Sequence, residues 1–158
     1  MTDSLVPEWM KQIKRQEDQK AAEDEADKLR SALATRIIQS EGPVFWKQLI
    51  KELQITVDSL PHIGLKGTVS DIGSEIEEGY QVSVVRSTLY PDSRYINLFY
   101  KPGSNMVRMH PQEGGSGNLV FGMVDEDQLR LWYEARPMTP EKAAAAIVEP
   151  IAMRLKGR

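Results

Sequence analysis

"YINLFYKPGSNMVRMH", residues 95–110, decides how this chain folds. Apolar side chains fall at every second position before Lys101 (Ile96, Leu98) and again after Ser104 (Val107, Met109). That period of two belongs to a strand with one buried face. Between the runs stands Lys101-Pro102-Gly103-Ser104. Proline at the second position of a turn and glycine at the third is the type II signature: one fixes φ, the other accepts positive φ. Two strands joined this tightly must be antiparallel neighbours, because parallel neighbours need a long crossover.

The period of two extends on both sides. Strands are expected near 67–72, 80–89, 94–101, 104–110, 118–124 and 128–134. Tyr90-Pro91-Asp92-Ser93 and Asp125-Glu126-Asp127 provide further short turns, so the strands form an antiparallel meander of five or six. If Lys101 pairs with Ser104, Leu98 lies opposite Val107, Ile96 opposite Met109, and Tyr95 opposite His110. Leu119, Phe121, Met123, Leu129, Leu131 and Tyr133 then join the Ile96/Leu98 face, which is almost wholly apolar and is the one that helices must cover. The other face carries Tyr95, Asn97, Phe99, Arg108, His110, Val120, Arg130 and Trp132, with Gly122 among them. Strand 80–89 fits either facing, since Val82/Val84/Arg86 and Ser83/Val85/Ser87 divide polarity about equally.

Helices flank the strands. Residues 8–41 read as one, with Pro7 suited to its first turn and Ala22, Ala26, Leu29, Leu33 and Ile37 as a stripe. Gly42-Pro43 interrupts it, and Pro43 suits the start of a second helix with Val44, Phe45, Leu49, Leu53 and Val57 facing the core; the alternative is a single helix kinked at Pro43. Near the C-terminus Thr139 suits an N-cap, Pro140 the first helical position and Glu141 the positive end of the dipole, while Pro150 is expected to end or kink the helix. Helices segregated from strands give an α+β fold: two N-terminal helices and a C-terminal helix on one face of a five- or six-stranded sheet. The expected organisation is a polar helical arm over 1–20 and a single domain over 21–158, with helices in 21–60, the sheet in 67–134 and the last helix in 139–156.

Composition narrows function by exclusion. The chain has no cysteine, so disulfides, thiolate metal sites and cysteine nucleophiles are absent. A net charge of −3 disfavours nucleic acid and anionic membranes, which select clustered positive charge. No apolar run reaches the length of a membrane span, and the first residues lack the apolar core of a secretory signal, so the expected location is cytoplasmic.

Signals of chemistry are few. Gly114-Gly115-Ser116-Gly117 lacks the lysine of a phosphate-binding loop and leads into a strand, so it reads as a flexible hairpin connection. His62 and His110 are the only histidines and fall in no metal-ligand spacing. The acidic groups Glu75/Glu77/Glu78 and Asp125/Glu126/Asp127 lack Ca²⁺-loop spacing and read as solubilising turn residues. No serine-nucleophile elbow is present. The expectation is therefore no metal, no cofactor, no catalytic residue and a non-enzymatic role.

Two surfaces remain as candidates. Trp9, Met10 and Ile13 form an apolar patch beside the wholly polar stretch 14–20, and apolar clusters outside a core often mark contacts. The first expectation is an adaptor whose N-terminal helix meets a protein partner or a second copy of the chain. The alternative is a small-ligand site on the open sheet face, lined by Tyr95, Arg108, His110, Arg130 and Trp132, where two donors and two aromatics suit a small anionic, partly aromatic ligand.

Overall fold

The computed structural model describes residues 5–86 and 92–157 and divides into two compact units, Met1–Thr35 and Arg36–Arg158. The expected turn at Tyr90-Pro91 lies partly outside the described residues. The fold is α+β: a long helix, a single antiparallel sheet and a C-terminal helix.

Helix α1 spans Glu8–Asp58, so one helix stands where two were expected. Pro43 lies inside it. An internal proline costs about 3 kcal/mol, but its φ is already helical. The turns beyond it bury Phe45, Trp46, Leu49, Leu53 and Val57, each worth about 1.5–3 kcal/mol, so packing outweighs the break. Trp46 takes the core position expected for Val44, which is exposed. A short 3-10 turn, Leu60–Ile63, follows.

The strands are β1 (Lys66–Asp71), β2 (Glu78–Val85), β3 (Ser93–Tyr100), β4 (Met106–Pro111), β5 (Gly117–Val124), β6 (Gln128–Tyr133) and β7 (Arg136–Met138). They pair in chain order as a seven-stranded meander, one strand more than the five or six expected. The extra strand, β7, has only three residues, one of them proline. It is reached through Glu134 and Ala135, both at positive φ (47° and 64°), with Tyr133 opposite Arg136. This is the geometry of a two-residue hairpin normally signalled by Asn-Gly, and no such signal stands here.

The β3–β4 register is two residues off the expected one: Tyr100 faces Val107, Leu98 faces Met109 and Asn97 faces His110. The Lys101–Ser104 turn does form, closed by Ser104 N–H donating to the Lys101 carbonyl, with Gly103 at φ 86°. Ser104 and Asn105 then lengthen the loop, and the Asn105 carbonyl accepts from Phe121 N–H instead of pairing across the hairpin. A shift of two keeps every side chain on its expected face. The pairing of Val82 with Ile96 also settles β2: Val82 and Val84 point into the core.

Helix α2 (Pro140–Lys156) is capped by Thr139, whose side chain accepts from Lys142 N–H. It continues through Pro150 because Ala152 and Leu155 are buried beyond it. The core of unit 36–158 lies between the apolar sheet face and the helices. An aromatic chain runs through it: Trp46 against Tyr100 (5.3 Å between rings), Tyr100 against Phe121 (5.9 Å) and Phe121 against Phe45 (5.4 Å).

Candidate functional site

The open sheet face is built by alternation. Tyr95, Asn97 and Phe99 on β3 share it with Arg108 and His110 on β4, Asn118, Val120 and Gly122 on β5, and Arg130 and Trp132 on β6. Arg108 pairs with Phe99, and its guanidinium lies 5.3 Å from that ring's centroid. It also forms an ion pair with Glu77, from the loop before β2. His110 meets the edge of the Phe99 ring at 5.6 Å, and its Nδ1 lies 2.9 Å from Ser116 Oγ. Beside it Gln81 donates to Asn97 at 3.0 Å.

Arg130 and Trp132 stand apart from that group. They lie on β6, two strands from β4, or about 10 Å across the sheet. Arg130 donates to the Leu129 carbonyl at 2.8 Å on its own strand. Trp132 covers Gly122, where an added Cβ would come within 2.9 Å of the indole nitrogen. The structure thus brings Arg108 and His110 together around Phe99, leaves Tyr95 beside them on the same face, and sets Arg130 and Trp132 in a separate cluster. Glu77, read from sequence as a solubilising turn residue, is the charge partner of Arg108, a link between positions 31 apart that no local pattern signals.

In unit 1–35 the candidate contact residues are exposed on α1: Trp9 at 59%, Met10 and Ile13 at 46% each. Leu29 and Leu33 are exposed as well. Trp9, Met10 and Ile13 fall on one side of the helix. Ala22 lies nine residues beyond Ile13, about two and a half turns, and so begins the Ala22/Ala26/Leu29/Leu33 stripe on the opposite side.

A cavity of about 250 Å³ opens on the helix-covered side of the sheet, with Ile96, Met109, Leu119, Ile147 and Ile151 among its walls. Arg94, Glu113 and Arg154 also line it. None of these three was singled out from sequence, although one signal existed. Arg94 shares the parity of Ile96 and Leu98, which places a charge on the face read as apolar.

Two tyrosines have raised pKa values. Burial lifts Tyr80 above its ordinary value, with the carboxylates of Asp71 and Glu78 adding to it. Burial is also the largest influence on Tyr100, whose value is raised. Among the described residues no group of three or more acidic or histidine side chains could hold a metal ion, and no helix is long and apolar enough to cross a membrane. No family model, curated protein or solved structure matches the chain.

Proposed function

We propose that the chain is a protein-interaction module whose N-terminal helix carries the recognition surface. The observation behind this reading is the exposure of Trp9, Met10 and Ile13 together on one side of α1. Tryptophan is the side chain most enriched among residues that dominate binding energy, and an amphipathic helix presenting large apolar anchors is a standard ligand for an apolar groove.

The arrangement of the two patches favours one kind of contact. A coiled coil needs one continuous seam along a helix. Here the anchors and the Ala22–Leu33 stripe occupy opposite sides, so one straight partner helix cannot cover both. The anchors therefore act as a local plug into a groove, on another protein or on a second copy of the chain.

Alanine replacement tests this. Trp9→Ala is expected to weaken partner binding by at least about thirtyfold, a loss of about 2 kcal/mol. Gln12→Ala and Gln16→Ala, beside the anchors, are expected to leave binding unchanged. Equal binding by Trp9→Ala and the unaltered chain in a titration against the captured partner overturns the reading.

A further inference from the structure

The 250 Å³ cavity is apolar along its walls and has an ion cluster at one end, where Arg94 and Arg154 meet the carboxylates of Asp92 and Glu113. Arg94 is the unusual residue there: its side chain is only 13% exposed. It donates at 3.0 Å to Asp92 Oδ1 and at 3.0 Å to the Ser93 carbonyl. Its Nε is buried without a hydrogen-bond partner among the described residues. A second guanidinium, Arg154, comes from the last turns of α2. Glu113 bridges the two, with Oε1 3.5 Å from Arg94 and Oε2 3.3 Å from Arg154. Both distances exceed the roughly 2.7–2.9 Å of a strong charge-assisted hydrogen bond. The carboxylate is loosely held between two cations that could bind one better.

We infer that this cavity binds a medium-chain alkyl carboxylate, whose chain lies along the apolar walls and whose carboxylate takes the place of Glu113 between Arg94 and Arg154. Glu113 is then a displaceable internal anion that closes the empty site. The loop that carries it suits this task. Gln112 is fixed to β3, its N–H donating to the Tyr95 carbonyl at 2.9 Å and its Oε1 accepting from Tyr95 N–H at 3.2 Å. The far end is held by the contact of His110 with Ser116. Between these ties stand Gly114, at a φ of 102°, and Gly115, with open space around both. Glu113 can leave the arginines by rotation at these glycines while the strand pairing stays intact.

Size and charge select the ligand. Pockets for drug-sized ligands run from about 300 to 1,000 Å³, so this smaller one suits a single unbranched chain such as that of octanoate. An alkyl amine would leave Glu113 in place and add an uncompensated cation to a cluster in which Asp92 and Glu113 already balance the two arginines. An alkyl alcohol could fill the cavity but not replace the displaced negative charge.

Calorimetric titration of the full chain with octanoate, octanol and octylamine tests the inference. Octanoate is expected to bind with one-to-one stoichiometry, octanol about tenfold more weakly or less, and octylamine not measurably. Glu113→Gln removes the internal competitor and is expected to tighten octanoate binding by about threefold or more, since less of the protein then sits in the closed form. Arg154→Gln is expected to weaken it by about tenfold. Both positions are solvent-exposed and should leave the melting temperature almost unchanged. Ala146→Trp, at an exposed helix position on the cavity wall, is expected to abolish binding. The inference is overturned if octanol matches octanoate, if Glu113→Gln leaves the affinity unchanged, or if Ala146→Trp binds as before.

Discussion

Gly67 shows how narrowly single positions are set. A Cβ added there would meet Leu60 Cδ1 at 2.7 Å and Val57 Cβ at 2.8 Å, both on buried side chains packed over β1. Gly67→Ala is therefore expected to destabilise the protein by about 1–3 kcal/mol, the usual cost of overpacking. Gly115→Ala, with nothing within 4 Å of its added Cβ, should change stability by less than about 0.5 kcal/mol. Urea midpoints of the two variants provide the comparison. Tyr100 gives a pH dependence. Its folded-state pKa lies above the ordinary value of 10.0, mainly because burial disfavours the phenolate. The stability linked to it is fully present below about pH 10 and is lost as pH rises through the folded value, because the unfolded chain releases the proton first. Tyr100→Phe should flatten the alkaline fall in stability above that pH; an equally steep fall in the variant would show that Tyr100 is not its source.

Among the elements, those with strong local chemistry were legible and those set by distant packing were not. The turn at Lys101–Ser104, the alternation of β3 to β6 and the cap at Thr139 follow from residue type alone. Pro43 and Pro150 could not be read locally. Whether a proline ends a helix depends on what the next turn buries: Trp46 finds Tyr80 and Tyr100 on strands far away in sequence, and Leu155 is buried beyond Pro150. β7 lacked a signal because Glu134 and Ala135 adopt positive φ without glycine or asparagine. The candidate site divides the same way. The two faces of the sheet were legible from parity, whereas the Arg108–Glu77 pair and the Arg94–Glu113–Arg154 bridge depend on long-range closure. The cap is open to direct test. Thr139→Ala removes the acceptor for Lys142 N–H and is expected to cost about 1 kcal/mol, read as a lowered melting temperature.

For the whole molecule, every buried core residue falls between Phe45 and Leu155, so unit 36–158 contains its own core. A chain truncated to residues 36–158 should melt within a few degrees of the intact protein; loss of cooperative unfolding would contradict a self-sufficient core. Residues 8–35, by contrast, bury none of their large apolar side chains. Trp9, Met10 and Ile13 lie exposed on the surface of a long helix, and that exposure is the basis of the proposed interaction role. The decisive measurement compares the intact chain with the triple variant Trp9→Ala/Met10→Ala/Ile13→Ala, recording the solution mass of each and the partners each retains at equal concentration. The account predicts that the intact chain holds a specific partner or a second copy, and that the triple variant loses it while keeping its fold. The same mass and the same partners for both proteins would contradict it.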